Sequence, residues 1–72
     1  MELHIGVRGT QREMAIDVDI SEDDLKQRVS QAASGNLFEL KDTKGRVLMI
    51  PGKALGYVEI VAHEPRRVGF GL

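Results

Sequence analysis

The chain has 72 residues, of which 10 are basic and 11 acidic, so its formal net charge is −1. This balance does not indicate a nucleic-acid-binding domain, which is normally clearly basic. The absence of cysteine excludes disulfides and thiolate zinc sites. An apolar content of 42% is too high for a disordered chain and typical of a globular one.

The length predicts one domain, residues 1–72, with a thin margin of stability. A chain of this size buries only about 60% of the surface that its unfolded form exposes, so self-association is an available source of stability. No apolar stretch approaches the ~20 residues of a membrane span. The start, MELHIGVR, carries charges where a signal peptide is apolar, and we expect a cytoplasmic protein.

The first two predicted elements are strands. Leu3, Ile5 and Val7 alternate with His4 and Gly6, which is the period of a half-buried strand. After the break RGTQR, alternation returns over residues 14–20. Two such strands joined by a short glycine-containing loop predict a β-hairpin.

The segment SEDDLKQRVSQAASG, residues 21–35, has the period of a helix. Ser21 is the predicted N-cap, with Asp24 as the second member of a capping-box-like pair. Gly35 is the predicted C-terminal stop. The apolar stripe consists of Leu25, Val29, Ala32 and Ala33. Its alanines allow the helix to lie close against a sheet.

A second hairpin is predicted in LFELKDTKGRVLMI, residues 37–50. Asp42 and Gly45 occupy the first and last positions favoured in a type I turn. Residues 47–50 are apolar without alternation, which is typical of a central strand covered on both faces. Pro51 ends that strand because it lacks a backbone donor.

The last part of the chain predicts a helical turn at residues 53–55, a strand at 56–62, and a short last strand in RVGFGL at its end. Two glycines weaken that last strand. We expect the first strand of the same chain, or an edge of another copy, to hold it. We slightly favour the first strand, since pairing there also protects that strand's edge.

Together these elements predict an α+β fold in the order β-β-α-β-β-β. A hairpin, a helix and a three-strand meander form a small, mostly antiparallel sheet, and the helix packs on one face. The order of the strands within the sheet does not follow from the sequence.

Several short motifs are similar to those of one family. IGV near the start, DTKGR, IPGKALGYVEI and the terminal RRVGFG resemble, in order and distance, a family of short actinobacterial proteins of unknown function. The resemblance covers nearly the whole chain and implies a stand-alone cytoplasmic domain. Some members carry an automatic ATP-binding label, and no residues here justify it.

The stretch VLMIPGKALGYVEI, residues 47–60, has two interpretations. As a sheet corner, Pro51 and Gly52 stop one strand and Leu55 tucks under the sheet. As a binding surface, Lys53 and Tyr57 frame a ligand or partner. The sheet corner is the simpler interpretation.

Candidate anion-binding residues are the arginines near the loops. Arg8 and Arg12 lie in the predicted first turn, Arg46 follows the second, and Arg66 and Arg67 precede the last strand. The stretch GVRGTQR could present backbone N–H groups to a phosphate. It lacks the Lys-Ser/Thr ending of a P-loop, so a solvated turn is the simpler interpretation.

The sequence offers little for metal binding or catalysis. The acidic residues between Asp17 and Asp24 lack the glycine of a calcium loop and instead complement the helix dipole, so we expect no metal and no cofactor. His4 and His63 stand beside no candidate nucleophile, and we expect surface positions for both. A chain this short rarely encloses a pocket, which predicts a protein that is not an enzyme.

The sequence therefore favours a non-enzymatic binding module that acts through contacts with another protein, whose identity the sequence does not give. The alternative is nucleotide (ATP) or RNA binding through the arginine-containing loops. Phosphate contacts weaken steeply with salt, whereas a dry apolar interface does not.

Overall fold

The computed structural model describes residues 1–62. This part of the chain contains one helix and five strands in the order β-β-α-β-β-β, which confirms the predicted α+β class. The elements are β1 (Glu2–Val7), β2 (Glu13–Asp17), α1 (Glu22–Ala33), β3 (Phe38–Lys41), β4 (Val47–Ile50), a 3₁₀ turn (Gly52–Ala54) and β5 (Leu55–Ile60). The predicted last strand lies outside the described residues. No helix within residues 1–62 is long and apolar enough to cross a membrane.

The strands form two antiparallel sheets. One has three strands in the order β2-β1-β5, and the other pairs β3 with β4. Leu3, near the start of β1, lies opposite Ile16 on one side and Ile60 on the other. The two predicted hairpins are confirmed, but the three-strand meander is not formed. Pro51 and the 3₁₀ turn carry the chain away from β4, so β5 pairs with β1.

Strand β1 is the central strand of the three-stranded sheet. Both of its edges are occupied, by β2 and by β5, so it has no free backbone groups for another strand. The segment predicted to dock on the first strand lies outside the described residues. Within residues 1–62 the outer strands of this sheet are β2 and β5, and the Asp17 carbonyl of β2 accepts a hydrogen bond from the Thr43 amide.

The hydrophobic core draws side chains from both sheets and the helix. Its buried members are Leu3, Ile5, Ile16, Val18, Leu25, Ala32, Phe38, Leu40, Ile50 and Leu55. The two sheets are joined at the second turn, where the Thr43 amide donates to the carbonyl of Asp17 at 2.9 Å. A bridge between Val18 and Asp42 extends the same contact.

The β4 strand differs from its prediction. Val47 is 48% exposed and Met49 is 58% exposed, while Ile50 is buried. Among the described residues the strand pairs with β3 alone, and one of its faces meets the core. A continuous apolar run does not reveal on its own how many faces are covered, and here one face leaves two large side chains in solvent.

Helix α1 begins and ends where the sequence predicts. The Ser21 hydroxyl accepts a hydrogen bond from the Asp24 amide at 3.0 Å. Gly35 follows the helix with a φ of 101°, a conformation that glycine adopts without strain. Leu25 and Ala32 are buried, whereas Ala33, predicted on the same stripe, is exposed.

We expect Ser21→Ala to lower the free energy of unfolding by about 1 kcal/mol, because the substitution leaves an amide of the first turn without its acceptor. Urea unfolding followed by circular dichroism measures this loss. The matched control is Ser30→Ala, at an exposed position within the same helix. Equal effects of the two substitutions would show that the cap does not stabilise the helix.

Candidate functional site

Three of the residues predicted for binding come together beside β5. Arg8, Lys53 and Tyr57 line one groove of about 550 Å³, which we call the β5 groove. Its apolar lining includes Val29, Ala32, Leu55 and Val58. The stretch 47–60 forms the predicted sheet corner, with a 3₁₀ turn and a buried Leu55, and the same corner borders the β5 groove. The binding role of Lys53 and Tyr57 stays a prediction.

The other predicted residues lie elsewhere. Arg12 and Arg46 do not line the β5 groove, so the structure does not unite the arginine loops into one site. Arg66 and Arg67 lie outside the described residues.

A backbone hydrogen bond joins the two segments that carry the cations of the β5 groove, Arg8 and Lys53. The Arg8 amide donates to the carbonyl of Ala54 at 2.7 Å, which fastens the start of the β1–β2 loop to the 3₁₀ turn that carries Lys53. Both side chains belong to exposed residues. Neither forms an ion pair with any residue in 1–62. The groove therefore presents two positive charges to solvent.

The β5 strand brings an unpaired backbone edge to this groove. Hydrogen-bonded and non-hydrogen-bonded pairs alternate along an antiparallel ladder. The Val61 amide donates to the carbonyl of Glu2 at 3.0 Å, so Val61 occupies a hydrogen-bonded pair with β1. Counting back in steps of two, Glu59 and Tyr57 also direct their N–H and C=O groups towards β1. Val58 and Ile60 therefore direct their N–H and C=O groups away from β1. Within residues 1–62 no strand pairs with this edge.

The β1–β2 loop uses most of its backbone donors internally. The Thr10 amide donates to the carbonyl of Val7 at 3.3 Å, and the Arg12 amide donates to the Thr10 hydroxyl at 3.0 Å. With the Arg8 amide bound to Ala54, few N–H groups of this loop are left for a phosphate.

Arg46 has a structural partner. The carboxylate of Asp42 is buried and accepts hydrogen bonds from the Lys44 amide at 2.9 Å, the Arg46 amide at 2.7 Å and Arg46 Nε at 2.6 Å. Burial alone would raise the pKa of Asp42, but the hydrogen bonds from Arg46 and Lys44 and the charge of Arg46 outweigh it and lower that pKa. This pair stabilises the second turn.

The lowered pKa of Asp42 predicts that the free energy of unfolding depends on pH. A carboxyl whose pKa is lower in the folded chain stabilises the fold above its ordinary pKa of 3.8, and the contribution is lost as pH falls through the folded-state value. We expect Asp42→Asn to lower stability at neutral pH, and the difference from the wild type to shrink below pH 3.8. Urea unfolding at several pH values measures it, with the exposed Asp19→Asn as control. A difference that is constant with pH would contradict this account.

The face of the three-stranded sheet that points away from the core, which we call the open face, gathers acidic side chains around one histidine. The acidic side chains near His4 are Glu2, Glu13 and Glu59, while Asp17 on the same face binds the Met1 amine at 3.1 Å. His4 Nε2 lies 3.5 Å from Glu2 Oε2. Its Nδ1 lies 3.5 Å from Glu59 Oε1 and 3.8 Å from Glu13 Oε1. These residues come from three strands. The predicted β1–β2 hairpin brings Glu13 close to His4, and the pairing of β5 with β1 adds Glu59.

Tyr57 connects the open face to the β5 groove. Its ring covers Gly6, the residue opposite it on β1, and a Cβ atom at Gly6 would overlap that ring. Its hydroxyl donates to Glu13 Oε2. That hydrogen bond, followed by burial and by the charges of Glu13 and Glu59, raises the pKa of Tyr57 above 10.0. The phenol therefore stays protonated and holds Glu13 in place.

Comparison with known proteins identifies a family and no activity. No curated protein matches this sequence significantly. A family profile described as "Protein of unknown function (DUF3107)" matches residues 1–71. The chain therefore belongs to the DUF3107 family, whose function is unknown.

Proposed function

We propose that this protein is a non-enzymatic binding module whose partner is another protein, and that it binds an extended, acidic segment of that partner along the outer edge of β5. The observation that carries this proposal is the position of an unpaired strand edge beside an apolar groove with two unpaired cations, within residues 1–62.

An extended segment fits this edge because strand addition uses backbone groups that β5 already directs outwards. In this mode the main-chain hydrogen bonds supply affinity, and pockets for alternate side chains supply specificity. Val58 and Ile60 offer the backbone groups, and Val29 and Leu55 contribute apolar surface to the groove.

The charges of the groove favour a carboxylate-bearing segment. Arg8 and Lys53 flank the apolar lining, and complementary charge raises the rate of association and selects the partner.

The first test titrates the isotope-labelled full chain with two short synthetic peptides, one alternating valine with glutamate and the other alternating valine with lysine. We expect amide chemical-shift changes over residues 56–60 and at Arg8 and Lys53 with the glutamate peptide, and much weaker changes with the lysine peptide. ATP and a short RNA are titrated in parallel. Changes at the arginines with these, and none with either peptide, would favour nucleotide or RNA binding instead.

The second test uses variants. Val58→Pro removes an outward N–H without removing a hydrogen bond to β1, and Lys53→Glu reverses one charge of the groove. Both are expected to abolish the response to the glutamate peptide. The control Lys41→Glu, which makes the same charge change on β3, is expected to leave it unchanged. Equal responses in all three variants would refute the groove as the site.

A further inference from the structure

We propose that the open face holds one divalent transition-metal ion, for which Zn²⁺ is the expected occupant. The ligands are His4 Nδ1, Glu13 Oε1 and a carboxylate oxygen of Glu59. This site lies on the open face, whereas the protein partner is proposed to bind along the outer edge of β5, and Tyr57 borders both.

The three ligands converge because of the sheet register. His4 lies on the central strand directly opposite Glu59 of β5, and Glu13 of β2 lies diagonal to it, opposite Gly6. The three ligand atoms lie within 4.8 Å of one another. Ligands on a tetrahedral Zn²⁺ with bonds of about 2.0–2.1 Å stand about 3.4 Å apart. The distances of 3.5 Å and 3.8 Å from Nδ1 thus need only small side-chain adjustments.

Two neighbouring groups orient these ligands. The carboxylate of Glu2 lies 3.5 Å from His4 Nε2, where it favours a proton on that nitrogen and leaves the Nδ1 lone pair for a metal. The Tyr57 hydroxyl binds Glu13 Oε2, while Glu13 Oε1 is the oxygen nearest Nδ1. Carboxylate and hydroxyl partners of this kind tune metal sites, and their loss typically costs about 10- to 100-fold in affinity.

The donor set selects the class of metal. Imidazole suits zinc and its transition-metal neighbours, whereas Mg²⁺ and Ca²⁺ prefer oxygen ligands alone. With a neutral imidazole, Glu13 and Glu59 supply two negative charges that one divalent cation balances. Three protein ligands leave a fourth tetrahedral position for water.

The test titrates the full chain with Zn²⁺ alone and follows calorimetry and the histidine ring resonances. We expect one equivalent to bind, with shifts at the His4 ring and along the facing strands, and much weaker binding of Mg²⁺. His4→Gln is expected to abolish binding. The matched control His63→Gln changes the chain's other histidine, outside the described residues, and is expected to retain it. Tyr57→Phe keeps the ring over Gly6 and is expected to weaken binding about 10-fold or more.

Three results would overturn the site. Binding that survives His4→Gln or disappears with His63→Gln would place the metal elsewhere. Shifts confined to the acidic start of α1 would indicate nonspecific attraction. Absence of Zn²⁺ binding by the wild type would show that His4 and the surrounding carboxylates form only an ion-pair cluster and no metal site.

Discussion

Phe38→Ala is expected to leave the protein largely unfolded at room temperature. Phe38 is fully buried, and it is the largest side chain in the core that both sheets and the helix share. Truncating a buried phenylalanine costs about 3–5 kcal/mol. The whole stability of a domain this small is about 5 kcal/mol or less. A single substitution therefore removes most of it.

The neighbouring residue provides the control. Leu37 precedes Phe38 and is 52% exposed, so Leu37→Ala is expected to change the free energy of unfolding by no more than about 0.5 kcal/mol. Circular dichroism and urea unfolding of both variants measure the contrast. A folded Phe38→Ala variant with near wild-type stability would mean that the core is not built around this side chain.

Gly52→Ala is expected to produce the second-largest loss, about 3 kcal/mol, the upper end for overpacking. A Cβ at this position would overlap the carbonyl oxygens of Ala32 and Asn36. The Ala32 oxygen belongs to the last turn of α1, where it accepts a hydrogen bond from the Gly35 amide at 2.9 Å, and the Asn36 oxygen belongs to the backbone that follows the helix. Neither is the end of a flexible side chain that could move aside. The 3₁₀ turn must instead separate from the helix, which also opens the β5 groove.

Gly9→Ala is the matched control for this prediction. Gly9 has a φ of 81° but open space around its Cβ direction, so its substitution carries backbone strain of about 1–2 kcal/mol without overlap. The expected order is a larger loss at Gly52 than at Gly9, with reduced peptide binding only for Gly52→Ala. If Gly52→Ala is as stable as the wild type, the close contact between the turn and the helix does not exist in solution.

Local signals accounted for the elements that the sequence predicted correctly. Ser21 and Gly35 delimit α1 because each forms a local cap that depends on a few neighbouring residues. The two hairpins follow likewise from alternation and short loops. Lys53 and Tyr57, which are close in sequence, line the same groove, and their role in binding stays a prediction.

The pairing of strands that lie far apart in the chain could not be predicted from the sequence. Alternation in β5 predicts a strand but does not name its partner, and β5 joins β1, about 50 residues earlier, because Pro51 and the 3₁₀ turn remove it from β4. The addition of Glu59 to His4 and Glu13 depends on that pairing and could not be predicted without it. Arg46 was a candidate for anion binding, but the turn geometry assigns it to Asp42.

The most direct test of the central claim, that β5 offers a free edge to a protein partner, is amide hydrogen exchange of the full chain, residue by residue along β5. We expect slow exchange at Tyr57 and Glu59, whose amides bond to β1, and fast exchange at Val58 and Ile60, whose amides point outwards. Equally slow exchange at all four positions would show that the edge is already occupied and would contradict the account.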